Sequence, residues 1–174
     1  MVEEGRKLGL ELNTAKCEIF VFDGDANVRD SIRERARKAC ASILFPSEAE
    51  LTLLGSPLLE EGLLPAVQEE TSKLAVLESR LNLLCAHQVL FLLKNYLGLP
   101  EFLYVSRCLP AWKVPDALKA FDESIRVRLS AITNKEIDAE IWRQATLSVS
   151  LDRLGIRRTE EIALSAYLAS IYSV

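Results

Sequence analysis

From Val67 to about Leu97 leucine recurs at helical spacing, with Leu74, Leu77, Leu81 and Leu84 three and four residues apart. No other feature restricts the fold as strongly, because such a stripe is stable only when laid against other apolar surface. Past Leu83 apolar residues (Leu84, Val89, Leu90, Phe91, Leu92, Leu93) surround the pattern, so this half is expected to be buried on most sides. Gly98 and Pro100 should stop it. A short helix over Glu101–Leu109 follows, ended by Pro110. Pro115 to about Ile132 is amphipathic through Leu118, Phe121, Ile125 and Leu129. Ile137–Leu147 carries Trp142, and Thr159-Glu-Glu161 resembles a capping signal before an apolar last helix, Ile162–Ile171.

The N-terminal part reads differently. A helix end over residues 2–10, with Leu8, Leu10 and Leu12, runs into a turn at Asn13–Lys16. Cys17–Phe22 has the β-branched and aromatic content of a strand, and Asp23–Asn27 supplies turn chemistry around Gly24. A helix from about Val28 to Leu44 sets Ile32, Ala36 and Ala39 opposite the basic cluster Arg29, Arg33, Arg35, Arg37 and Lys38, and Pro46 ends it. Leu51–Leu54 reads as a short strand broken by Gly55-Ser-Pro57. The expected fold class is therefore α+β, mostly α. Two short strands make a marginal sheet alone, which suggests a piece cut from a larger one.

Apolar residues make up 49% of the 174 and charged residues 26%, which suits a globular core rather than a disordered tail. At this length about two thirds of the unfolded surface can be buried, so no disulfide or metal is needed. Cys17, Cys40, Cys85 and Cys108 form no CxxC pair, and with the single His87 no ordinary zinc site can be written. Reduced thiols in apolar surroundings and a hydrogen-bonded histidine at the core edge are expected. The start, Met1-Val-Glu-Glu-Gly, lacks the apolar stretch of a secretory signal. The run Val89–Leu93 stops at Lys94, short of the roughly 20 residues of a membrane span. These features read as an intracellular protein of cytoplasm or nucleus. A net charge of −4 disfavours a strongly basic nucleic-acid binder, yet Arg153, Arg157 and Arg158 form a second basic cluster. Six glutamates and no lysine or arginine lie between Glu48 and Glu70.

Several stretches then take on a common meaning. Gly9-Leu-Glu-Leu-Asn13-Thr-Ala-Lys16 resembles the G-L-x-x-N-x-x-K segment that follows the catalytic palm strand in non-long-terminal-repeat (LINE-type) retrotransposon reverse transcriptases. Leu51-Thr-Leu-Leu-Gly55-Ser-Pro57 resembles that family's primer-grip hairpin. Leu90-Phe-Leu-Leu-Lys94-Asn95, followed by Leu103-Tyr104 through Arg107, resembles the first thumb helices. Trp142-x-x-Ala145-x-Leu147 and Leu154-Gly-Ile-Arg157 resemble the A-x-L-P…G-G-L-G-I-R stretch near the domain's end. The order is the family's, from about residue 5 to residue 165. The resemblance implies a palm-edge remnant over residues 1–58 and a thumb-like helical region over residues 59–174.

It also implies a chemistry whose parts are incomplete here. RNA-directed DNA polymerisation needs Mg²⁺ held by aspartates. In the family these precede the G-L-x-x-N-x-x-K segment, whereas only eight residues precede Gly9 and none is aspartate. The strand of paired aspartates is therefore not expected in this chain, nor is a metal site or polymerase activity. Asp23 and Asp25 follow Lys16 instead and read as turn residues. Lys16 matches the family's general-acid lysine. Leu54, Gly55 and Ser56 match the grip near the primer's phosphates. Lys94 and Arg107, then Arg157 and Arg158, are the residues that the thumb-like match assigns to the backbone of an RNA–DNA hybrid, contacted weakly. Ser148 replaces the pattern's proline, and Asp152 and Arg153 replace its glycine pair, so that turn is expected to be altered. The competing reading is a helical protein-interaction module reusing the fragment, with self-association through an exposed palm edge. An unrelated enzyme has little support: there is one histidine, no Gly-rich phosphate loop, and no GxSxG or HExxH motif.

Overall fold

The computed structural model describes Lys7, Gly9 and residues 13–172, apart from the side chains of residues 78, 79 and 101. The helix end expected over residues 2–10, with Leu8, Leu10 and Leu12, lies mostly outside them. The chain is 67% helical with one two-stranded antiparallel sheet, so it is α+β and mostly α. No helix among the described residues is long and apolar enough to cross a membrane. The chain divides into two compact units, residues 1–51 and 52–174.

In the first unit a 3₁₀ turn at Thr14–Lys16 precedes helix α1 (Ala26–Ala39). The expected strand at Cys17–Phe22 is not formed. Only one isolated parallel bridge, Glu18 to Leu44, is present, with Ile19 N–H donating to the Leu44 carbonyl (3.0 Å) and Leu44 N–H to that of Cys17 (2.9 Å). β-propensity without a neighbouring ladder leaves the backbone extended but unpaired. Helix α1 starts where Asp25 Oδ1 accepts from Val28 N–H at 2.8 Å, the usual N-cap geometry. It ends at Ala39, five residues before Leu44, because Cys40 turns extended; Pro46 plays no part. Gly24 holds the left-handed φ of 101° that the Asp23–Asn27 turn requires.

The second unit opens on the hairpin β1 (Thr52–Leu53) and β2 (Ser56–Pro57), with Thr52 opposite Pro57 and Leu53 opposite Ser56. A 3₁₀ turn at Glu60–Gly62 leads into α2 (Leu63–Leu81). The single long helix expected to Leu97 is in fact broken. After Leu81 the chain makes two i→i−3 bonds (Leu83 to Arg80, Leu84 to Leu81), and Cys85 becomes an extended N-cap whose N–H donates to Gln88 Oε1 at 3.3 Å. Helix α3 (Ala86–Leu92) starts there and widens into a π-helical segment, Leu93–Leu97. Cys85-x-x-Gln88 is a capping-box pattern with a thiol in the serine position, which explains why the break is hard to read. The burial expected past Leu83 is only partly realised: Leu84 is 41% exposed and Phe91 57%, while Val89 and Leu93 are buried. His87 is exposed rather than at the core edge, and Cys85 and Cys108 are exposed free thiols rather than apolar-packed ones.

Gly98 caps helix α4 (Leu99–Cys108), with Pro100 in its first turn, so this proline opens a helix instead of closing one. Helices α5 (Pro115–Thr133), α6 (Ala139–Thr146) and α7 (Thr159–Tyr172) complete the bundle. α4 packs most extensively on α7, and α2 on α5. Leu118, Phe121, Ile125 and Leu129 are all buried, as their spacing requires, and the Phe102 and Phe121 rings meet at 5.4 Å between α4 and α5. Val67, Leu74, Leu109, Ile156 and Ala163 extend the same core.

Candidate nucleic-acid interface

At the hairpin tip Leu54 and Gly55 both have positive φ, 53° and 82°. Two left-handed residues in a two-residue loop make a type I′ turn, whose twist matches that of the flanking strands. Glycine takes this geometry freely, whereas leucine is strained by roughly 1–2 kcal/mol. A bond from the Tyr104 hydroxyl to the Leu54 carbonyl, 2.8 Å, ties the tip to α4 and helps offset that strain. The Leu54 side chain stands exposed. Ser56 departs from the expectation: it is buried in the hairpin base, and its hydroxyl has no partner among the described residues, so it does not face a phosphate.

Lys94 lies in the π-helical segment, half-buried, and Arg157 is exposed in the chain leading to α7. Both line one cleft of about 500 Å³, with Thr146, Ser148, Gly155 and the first turn of α4. Among the described residues no acidic one lines it. The wall is shaped by backbone: Gly155 N–H donates to the Leu147 carbonyl (3.0 Å) and Ile156 N–H to that of Ala145 (3.2 Å). Gly155 has a φ of 67°, and a Cβ there would lie 2.8 Å from Val149 Cγ2 and 3.5 Å from Lys94 Nζ. A side chain would crowd Val149 and only come into ordinary contact with the Lys94 ammonium.

The altered turn expected from Asp152 and Arg153 keeps its conformational demand, since Asp152 itself takes a left-handed φ of 55°. Aspartate is among the residues that tolerate this region. Ser148 caps the 3₁₀ turn Val149–Leu151, its hydroxyl accepting from Ser150 N–H at 3.2 Å.

The other assigned cations do not join the cleft. Arg158 is held by Glu160 (2.8 Å) and Glu161 (3.0 Å), so its charge is already matched and it is withdrawn from phosphate contact. Arg107 is exposed in the last turn of α4, outside the cleft. Lys16 is exposed at the end of its 3₁₀ turn in the first unit. In the α1 basic cluster, Arg29 Nε donates to the Gly24 carbonyl (2.9 Å), Arg33 pairs with Asp30 (3.2 Å) and Lys38 with Glu34 (3.1 Å). Arg37 sits 5.0 Å from the Phe45 ring centroid. Among the described residues no group of three His, Cys, Asp or Glu side chains is placed to hold a metal ion. Asp23 and Asp25 are taken up by backbone, Asp23 accepting from Gly24 N–H at 2.7 Å and Asp25 capping α1.

One buried polar centre was missed by sequence reasoning. Asp122 lies in α5 and caps α7 from outside: Oδ1 accepts Thr159 N–H and hydroxyl, both 2.9 Å, and Oδ2 accepts Glu160 N–H at 3.3 Å. Thr159 is therefore capped by a neighbouring helix and is not itself the cap. Burial raises the Asp122 pKa above the usual aspartate value, outweighing the hydrogen bonds from Thr159 and Glu160 and the nearby Arg158 charge, which lower it. A carboxylate inside the stripe Leu118–Phe121–Ile125 was the available signal. No protein-family model, curated protein or solved structure matches the chain.

Proposed function

We propose that the chain is a palm-edge and thumb-like fragment of a non-long-terminal-repeat reverse transcriptase, which contacts nucleic-acid backbone weakly and does not polymerise DNA by itself. The observation that carries this reading is the meeting, in the second unit, of stretches that resemble the family but lie far apart in sequence. The primer-grip-like turn is bonded through Leu54 to Tyr104 of the thumb-like match. Lys94 of that match shares a cleft with Gly155 and Arg157 of the L-G-I-R-like match. Chance resemblances in an unrelated helical chain have no reason to converge in this way.

Polymerisation needs metal-holding aspartates, which the resemblance assigns to none of the matched stretches of this chain. Primer extension on an RNA template with Mg²⁺ or Mn²⁺ should therefore give no product from this chain, and measurable synthesis would overturn that part of the proposal. Filter binding to an RNA–DNA hybrid should show retention that weakens as salt rises. No retention at low salt would remove the nucleic-acid contact.

A second reading, a helical interaction module, has its own support. Leu84, His87, Gln88, Phe91 and Leu92 line a shallow depression of about 470 Å³ along α3, and the Phe91 and Tyr96 rings meet at 6.0 Å, tilted by 54°, while largely exposed. Apolar surface of this kind favours association. Sedimentation over a concentration series distinguishes the readings: a chain that stays monomeric while retaining the hybrid leaves the first alone.

A further inference from the structure

We infer that the cleft between the π-helical segment and the loop before α7 is a pocket for a single phosphomonoester group, gripped by Lys94 and Arg157. The pocket stands on its own geometry; its occupation by the terminal phosphate of an oligonucleotide rests on the nucleic-acid reading above.

Charge is the first argument. Of the other half-buried cations in this unit, Arg126 pairs with Glu123 (2.8 Å) and Arg158 with Glu160 (2.8 Å), while Arg128 donates to the Leu74 carbonyl (2.9 Å). Lys94 is also half-buried, and among the described residues neither it nor Arg157 has an ion-pair partner. In a chain with 25 acidic and 21 basic residues, a cleft lined by two cations and, among the described residues, no acid is a local inversion of the surface. A partly desolvated ammonium is most stable with a counter-charge beside it. The two cations match a phosphomonoester, which carries about −1.5 to −2 at neutral pH, better than the single charge of a diester.

Shape is the second argument. A track for a strand backbone needs a row of cations, and here Arg107 lies outside the cleft and Arg158 is neutralised by its own glutamates. What remains is a concavity rather than a row. Thr146 and Ser148 line it with Gly155, the Thr146 hydroxyl donating to the Arg143 carbonyl (2.8 Å) and the Ser148 hydroxyl accepting from Ser150 N–H (3.2 Å). Lysine supplies a point charge and arginine a planar fork of donors, a complementary pair for tetrahedral oxygens.

The test is titration of the full chain, with the Gly155 and Arg157 amide resonances as the readout. Inorganic phosphate should move them saturably. A single-stranded oligonucleotide bearing a 5′-phosphate should bind about ten-fold tighter than its 5′-hydroxyl counterpart, the worth of one charge-assisted hydrogen bond. A mononucleotide binding as tightly as the phosphorylated oligonucleotide would keep the pocket and assign it to a free ligand. Lys94→Gln with Arg157→Gln should abolish saturation, the charge-retaining Arg157→Lys should keep it, and Arg126→Gln should leave it unchanged. Absence of saturable shifts with every phosphate probe would overturn the pocket, as would equal affinity for the two oligonucleotides together with no response to inorganic phosphate. Hybrid retention by the wild-type chain without saturable phosphate shifts sinks the pocket and leaves the broader reading standing. Phosphate binding without hybrid retention does the reverse.

Discussion

Helices α1 and α5 begin from similar sequence patterns and end in opposite states. Each has apolar residues at helical spacing: Ile32, Ala36 and Ala39 in one, Leu118, Phe121, Ile125 and Leu129 in the other. None of the 14 residues of α1 is buried, and Ile32 remains 37% exposed. In α5 all four stripe residues are buried, and the aspartate among them with them. The difference lies in the size of the stripe and the surface offered to it. α1 has two alanines where α5 has a phenylalanine and leucines, and burial contributes roughly 1.5–3 kcal/mol for each large side chain. α1 is left with local interactions, an N-cap and i,i+3 or i,i+4 ion pairs, of which each pair contributes about 0.2–0.5 kcal/mol. An apolar period specifies a helix; it does not specify that the helix has a core to join.

The sharpest way to break this contrast is to empty the α5 face. Phe121→Ala should cost about 3–5 kcal/mol in urea unfolding, because it removes a fully buried ring paired with Phe102. A loss below that of the α1 substitutions would mean that the bundle's core is not where its stability resides.

Next in size is the cap between helices. Asp122→Ala should cost about 2 kcal/mol, since two α7 backbone donors and the Thr159 hydroxyl lose their acceptor. Its titration has a definite sign. With its folded pKa raised, the native state holds the proton more firmly than the unfolded chain does, so Asp122's contribution is full at low pH and declines as pH rises through the range just above the ordinary aspartate value. The stability difference between the wild-type chain and Asp122→Asn should therefore narrow across that window. A difference that widens would show that the hydrogen bonds outweigh desolvation.

Smaller effects are expected in α1. Asp25→Ala should cost the helix about 1 kcal/mol, read as faster amide exchange over residues 28–32. Ile32→Ala should change stability by less than about 0.5 kcal/mol, because the side chain is already accessible to water. A larger loss for Ile32 would show that α1 is covered in solution and would dissolve the contrast.

Much of the bundle was legible because its signals are local and dense. Pro115 opens α5 and its stripe packs as spaced, and the turn at Gly55 follows from turn chemistry. The errors fall where local preference needed a distant partner. Cys17–Phe22 has strand composition, but a strand needs a neighbouring ladder, and only one bridge is present. Past Leu83 the apolar run implies burial on most sides, yet a break at Cys85 redirects the chain and leaves Leu84 and Phe91 partly in water.

The candidate site divides in the same way. Sequence resemblance picks out Lys94 and Arg107 first and Arg157 and Arg158 next. It could not tell which would meet, because residue type carries charge but not position. Only the tertiary structure decided that Lys94 and Arg157 share a cleft, that Glu160 and Glu161 claim Arg158, and that Ser56 is buried. By itself the sequence determined that the chain is mostly helical and where most of its helices begin, since periods, caps and turns act over a few residues. The pairing of Asp122 with α7 and the convergence of Lys94 on Gly155 join residues 37 and about 60 positions apart, and packing alone brings such residues together.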